Sequence, residues 1–220
     1  MLMYDLHTHT VFSDGVLIPA ESARRAEERG YSGMAFTDHA DDSNLLYILE
    51  NLLRFKSNYN KETDGFKVLA GVELTHILPD SIDRLVKEAR RFGADIVIVH
   101  GETLTEPVKT GTNMAAIRAG VDILAHPGLI TPAEAELAAG KGVYLEMTTR
   151  KGHSISNGHV AKTARAAGAK LVINNDFHVP GDAVSIEMAE KILLGAGLEP
   201  AEAAEVFNNN KSLFMKRIGG

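Results

Sequence analysis

Cysteine is absent from the chain, and that absence removes disulfides, cysteine-ligated zinc fingers and thiol nucleophiles at once. Any metal held here must be held by His, Asp or Glu. Tryptophan is also absent and aromatics make up only 6% of the residues, so the few aromatics and methionines are read as core filling. No apolar run approaches the roughly 20 residues a spanning helix needs, and the start of the chain lacks a basic stretch followed by an apolar one. The expected location is the cytoplasm, with no membrane partner. No block of Lys or Arg stands out in a chain of formal charge −6 and pI near 5.8, which argues against a nucleic-acid-coating surface. A Walker loop is missing, and Gly152-His153-Ser154-Ile155-Ser156 lacks the second glycine of a nucleophile elbow.

What is present is a 45% apolar fraction over 220 residues with no linker-like stretch, enough for one domain over 1–220 with a sizeable core. Seven stretches read as strands: Leu2–His9, Ser32–His39, Lys67–His76, Asp95–Gly101, Asp122–Pro127, Val143–Thr149 and Lys170–Asp176. Helical patterns alternate with them. One runs from Pro19 to Arg29 with Gly30 as its stop, and Ser43 is read as the cap of a long helix carrying Leu45, Ile48, Leu49 and Leu52. Others cover Pro79–Phe92, Asn113–Ala119, Thr131–Ala139 and Ser156–Ala167, and Ala183–Leu194 and Pro200–Ile218 close the chain.

Read as a strand, the opening stretch puts His7 and His9, with Asp5 before them, on one side. Two neutral imidazoles side by side suit a borderline divalent ion such as zinc. A pair of surface histidines fits the same spacing, so the rest of the chain has to decide. It does so through topology: alternating strands and helices imply right-handed crossovers and a parallel sheet. Six of the seven strands end in, or just before, His, Glu or Asp, and the carboxyl ends of parallel strands share one rim. A closed barrel brings all those ends around one centre, whereas an open sheet leaves the first and last far apart. The gathered set is His7, His9, Asp14, His39, Glu73, His100, His126, Asp176 and His178. Since zinc commonly takes about four ligands, this implies two or three ions.

The pieces His7-Thr8-His9 with Ser13-Asp14-Gly15, Thr37-Asp38-His39, Gly71-Val72-Glu73, Val99-His100-Gly101, Ala125-His126-Pro127 and Asp176-Phe177-His178 resemble, in order, the PHP (polymerase and histidinol phosphatase) family. The resemblance implies an α/β fold, a distorted TIM-like (βα)₇ barrel, holding a trinuclear centre of divalent ions (Zn, Mn or Fe) at its C-terminal rim. One ion would take His7, His9, Glu73 and Asp176, a second Glu73, His100 and His126, a third Asp14, His39 and His178. Some relatives carry His where this chain has Asp14, a harder ligand that bears on the third ion's identity and occupancy. The implied activity is hydrolysis of a small-molecule phosphate monoester, with histidinol phosphate one such substrate. Clustered ions lower the pKa of a bound water and hold phosphoryl oxygens.

Arg150, Lys151 and His153, following the sixth strand, are read as phosphate contacts, with Arg150 and His153 also as catalytic candidates; a solvated basic loop is the alternative. Glu146 is either a partner of a ligand or structural. Asp5 is expected to orient an imidazole, Asp38 to face away from the centre, His76 to lie in a loop and His159 to be structural or solvated. Two rival functions stay open: hydrolysis of a C–N bond, since amidohydrolase barrels array His and Asp similarly, and a non-catalytic PHP module. Substrate identity and oligomeric state are not legible.

Overall fold

Apolar residues at alternate strand positions face the two sides of a sheet, and here the sheet curls so that one side becomes an interior. The computed structural model describes residues 3–219. In chain order the elements are β1 (Met3–Asp5), α1 (Pro19–Glu28), β2 (Tyr31–Phe36), β3 (His39–Ala40), α2 (Leu45–Glu62), β4 (Lys67–Leu74), α3 (Pro79–Arg91) and β5 (Ile96–His100). There follow α4 (Thr112–Ala119), β6 (Ile123–Ala125), α5 (Pro132–Lys141), β7 (Tyr144–Thr148), α6 (Asn157–Ala167), β8 (Leu171–Asn174), α7 (Ile186–Gly195) and α8 (Pro200–Ile218). All pairings are parallel, in the order β1-β2-β4-β5-β6-β7-β8, with β3 also on β4. β3 continues β2 without slippage, because Phe36 lies opposite Ala70 and His39 opposite Glu73. Seven staves thus form a nearly closed barrel, as expected from the alternating pattern.

Tyr4, Ala35, Leu69, Ile96, Ile98, Ile123 and Val172 form the inner cluster together with Leu213 and Phe214 of α8. Their strand neighbours, such as Met34, Val68, Val97 and Leu145, pack outward in the larger cluster that also holds helix residues including Leu49, Leu85 and Ala164. Phe214 plugs the floor. A Cβ on Gly33 would stand 2.6 Å from its ring, so glycine is required there. No helix among the described residues is long and apolar enough to cross a membrane.

The seam between β1 and β8 is closed differently at its two ends. Near the rim, His9 N donates to Phe177 O at 2.8 Å and Phe177 N to His7 O at 3.3 Å, with Thr8 bridged to Phe177. Lower down, the Asn210 side chain of α8 replaces strand pairing: it accepts from Ile173 N and donates toward Tyr4 O and Ile173 O, all at 2.9–3.0 Å. A buried donor left without a partner costs about 1–3 kcal/mol. Asn210→Ala is therefore expected to lower stability by at least about 2 kcal/mol, read from urea unfolding. A loss below about 0.5 kcal/mol would mean that the seam holds without it.

Several expected boundaries move. The first strand ends at Asp5, not His9, because Leu6 N donates to the Asn174 side chain instead of a strand carbonyl; Leu2 lies outside the described residues. Ser43 is not the cap of α2. Its hydroxyl donates to Asp41, and Asn44 holds the N-cap position. α7 starts at Ile186, capped by Ser185 Oγ, because Ala183 and Val184 use their carbonyls to receive Arg29 and Tyr31.

Candidate metal centre

Strand parity delivers part of the site. His100 lies on the inner face with Ile96 and Ile98, Glu73 with Leu69, and His39 with Ala35. His126 breaks parity: it directly follows inward-facing Ala125, and a φ of 23° turns it back toward the centre. Asp176 also has positive φ, 52°. Non-glycine residues rarely adopt such φ, and rigid surroundings must impose it, commonly at functional sites.

Glu73, fully buried, is the hub. Its Oε1 lies 3.3 Å from His7 Nε2, 3.3 Å from His100 Nδ1 and 3.8 Å from His126 Nε2, while Oε2 lies 2.7 Å from His39 Nδ1 and 3.7 Å from His9 Nε2. Asp176 Oδ1 stands 3.1 Å from His9 Nε2 and 3.7 Å from His7 Nε2. Asp14 Oδ1 stands 3.1 Å from His178 Nε2 and 3.6 Å from His39 Nε2. With zinc–ligand bonds of about 2.0–2.1 Å, neighbouring ligand atoms of a tetrahedral ion lie about 3.3 Å apart. All nine residues gathered from the sequence thus lie at one mouth. Ligand-type atoms group as His9, Asp14, His39 and His178; as His7, Glu73 and His126; and as His7, His9 and Asp176. His7 and His9 are each shared between two groups, where the resemblance implied one ion for each, and His153 forms a further group with His126 and Asp176.

The fit to cations rests on polar atoms with nothing to bind. His7 Nε2, both ring nitrogens of His9 and of His126, and Asp176 Oδ1 are buried without a hydrogen-bond partner. Such atoms are rare in folded proteins and costly unless a ligand serves them. Burial holds the pKa of His9 and of His126 well below the usual histidine range, and pushes Asp176 up to about 6. For His7, burial is outweighed by Glu146, Glu73 and Asp176, which hold it well above its usual value. For His39, burial is likewise outweighed, mainly by Glu73, and the pKa rises to about 9. A cation at the centre would compete with protons for these same nitrogens.

Partners behind these groups fix their orientation. Glu146 Oε1 is 2.9 Å from His7 Nδ1, accepts from Asn174 Nδ2, and its Oε2 accepts from His126 N. It is thus a partner of a candidate ligand. Asp5 receives His7 N, Asn175 N and Asn175 Nδ2; it braces backbone and a side-chain amide, not an imidazole, and does not share the side of His7 and His9, because the strand ends beneath them and its neighbours Tyr4 and Leu6 are the inward ones. Asp38 faces away and ties down Thr10 and Ser13. His76 is a loop residue with φ 54°. His159 binds Ile130 O from α6 and is structural.

Arg150 borders the centre, its Nη1 donating to Asp176 O at 2.9 Å and its Nε 3.3 Å from Asp176 Oδ2. His153 stacks on His126 with ring centroids 4.3 Å apart, its Nδ1 2.6 Å from Thr103 Oγ1. Lys151 is exposed on the preceding turn. Sequence reasoning missed Thr75, whose Oγ1 is 2.6 Å from His39 Nδ1, and Glu106, which reaches His100, His76 and His153. Glu106 sits in the loop after β5, and the only signal was a charged residue beyond a strand-end histidine. With Asp14, His39, Asp41, Thr75 and His76 it lines a cleft of about 460 Å³ over the centre.

Residues 5–103 match the family model described as the PHP domain. An uncharacterized protein of Methanocaldococcus jannaschii is 47% identical over 218 residues, covering 99% of this chain and 100% of that protein. A probable phosphatase of Thermoanaerobacter sp. is 29% identical over 219 residues, 90% of this chain and 87% of that one. Among solved structures, a chain of archaeal ribonuclease P with mature tRNA superposes with TM-score 0.72 at 18% identity, covering 97% of this chain and 90% of that one. Histidinol phosphate phosphatase from Lactococcus lactis, complexed with zinc, L-histidinol and phosphate, superposes with TM-score 0.62 at 18% identity, covering 90% and 94%. At such identities these two structures establish a shared fold.

Proposed function

The chain belongs to the PHP family, and from that premise we propose that it is a metal-dependent phosphoesterase acting on a small-molecule phosphate monoester at a centre of up to three divalent ions. The observation that carries this is the ring of buried, unpartnered nitrogen and oxygen atoms around Glu73 and Asp176. His7, His9, Glu73 and Asp176 would hold one ion, Glu73, His100 and His126 a second, and Asp14, His39 and His178 a third. When bound, divalent ions supply Lewis acidity toward phosphoryl oxygens and activate water near neutral pH.

The remaining roles fall to side chains at the edge. Arg150 is anchored through Nη1 and Nε on Asp176 and Asp182, which leaves the outer donors of a rigid, permanently charged fork for a phosphate oxygen. His153, held by Thr103 at Nδ1 and facing Glu106 with Nε2, would contact the leaving oxygen from the edge of the centre; Lys151, on the turn beside it, would add charge at the entrance. The named activity of the Thermoanaerobacter relative and the ligands of the Lactococcus structure support a phosphate ester as substrate. With a net charge of −6 and no block of Lys or Arg, a small phosphate ester is favoured over RNA as the ligand. A cytoplasmic setting belongs to the same proposal.

The test is an assay of the zinc- or manganese-loaded chain on p-nitrophenyl phosphate, histidinol phosphate and a panel of metabolite phosphates, beside simple cyclic amides. Phosphate release that a chelator stops is expected. Amide cleavage in its place would favour C–N hydrolysis, and no turnover of any phosphate ester would favour a non-catalytic module.

A further inference from the structure

The loop between β5 and α4 is pinned at both ends. Glu102 Oε1 accepts from Gly111 N and Asn113 N, each at 3.0 Å, and Glu102 N donates to Asn113 Oδ1 at 2.9 Å. What the pinned loop presents inward is Glu106. Its Oε2 lies 2.9 Å from His100 Nε2, on the side of the ring opposite Nδ1, which faces Glu73 Oε1 at 3.3 Å. A neutral imidazole has one lone pair and one N–H. If Nδ1 turns its lone pair to a cation beside Glu73, Nε2 must carry the proton, and a carboxylate at 2.9 Å is its acceptor.

We propose that Glu106 is a positioning residue that fixes the tautomer and ring angle of His100, and so sets the affinity of the cation shared by Glu73, His100 and His126. This rests on the function proposed above. Glu146 stands to His7 Nδ1 as Glu106 stands to His100 Nε2, both at 2.9 Å. The two carboxylates brace two rings that converge on the same oxygen of Glu73, and carboxylate support of this kind fixes orientation and raises the basicity of a ligating imidazole. The same lone-pair count argues against a separate cation among His76, His100 and Glu106, although their ligand-type atoms are close enough to suggest one: such an ion would compete for the nitrogen that must stay protonated.

The experiment is zinc titration of the full chain by calorimetry, with bound zinc counted by mass spectrometry, for wild type, Glu106→Ala, Glu106→Gln and His76→Ala. Glu106→Ala is expected to weaken one equivalent by about 10–100-fold and leave the others in place. Glu106→Gln, whose amide oxygen still accepts, should recover most of that loss, and His76→Ala should keep every equivalent. A second readout is the ¹H–¹⁵N spectrum of the zinc-loaded protein, where His100 is expected protonated at Nε2. Wild-type affinities in Glu106→Ala, an equivalent lost with His76→Ala, or His100 protonated at Nδ1 would each overturn the proposal. A wild-type chain that takes up no zinc at all would instead overturn the proposed function.

Discussion

Replacing Glu73 by glutamine is expected to lower kcat/KM for phosphate esters by at least about a thousandfold. Lewis-acid stabilisation by bound ions is worth several kcal/mol, and about 4 kcal/mol corresponds to that factor. Glutamine is chosen because it preserves volume in a fully buried position and removes only the charge and one acceptor oxygen. Glu73 is within 3.8 Å of five imidazoles, those of His7, His9, His39, His100 and His126, so no other single carboxylate touches as many candidate ligands. The five rings would lose their common counter-charge; His7, His100 and His39 hold the Glu73 carboxyl well below the usual range against the effect of burial. Steady-state kinetics with circular dichroism as a control for folding would check this. A loss smaller than tenfold would remove Glu73 from the centre of the account.

The second large effect is thermal. Each cation held at about 100 times its Kd adds about 2.7 kcal/mol of stability, so two or more add at least about 5 kcal/mol. In a domain of this size about 1 kcal/mol moves Tm by roughly 2–4 °C. Treatment with EDTA is therefore expected to lower Tm by about 10–20 °C, with zinc restoring it. The apo protein would be left with the unpartnered nitrogens of His9 and His126 buried at the rim. Calorimetric scans with chelator and with zinc decide the matter, and midpoints that agree within about 2 °C would mean that the cluster contributes no metal-linked stability.

What the sequence made legible was the set of residues that topology alone brings together. Glu73, His100 and His39 sit at strand ends with the parity of the apolar residues before them, and a parallel barrel leaves those ends nowhere else to go. His126 and Asp176 were also found, though for an incomplete reason. Their direction depends on positive φ, which no pattern of apolar residues encodes. The strand reading of the opening stretch put His7 and His9 together, and both lie beside Glu73 and Asp176, but it carried Asp5 with them, because nothing local shows that Asn174, far along the chain, takes the Leu6 N–H. Asn210 was hidden for the same reason. A polar residue within a helix reads as solvated unless the seam it bridges is already known. Glu106 depends on the path of a loop, which Glu102 fixes through backbone donors at Gly111 and Asn113 that leave no trace in composition. The common thread is that strand periodicity propagates in sequence, whereas side-chain bonds to distant backbone do not.

The central claim is that side chains from six of the seven staves share cations at one rim, and anomalous diffraction from crystals soaked in zinc and in manganese tests it most directly. The account predicts two or three peaks within bonding distance of Glu73, Asp176 and Asp14 and of the histidines around them. Crystals soaked under the same conditions with no anomalous density among those residues would contradict it.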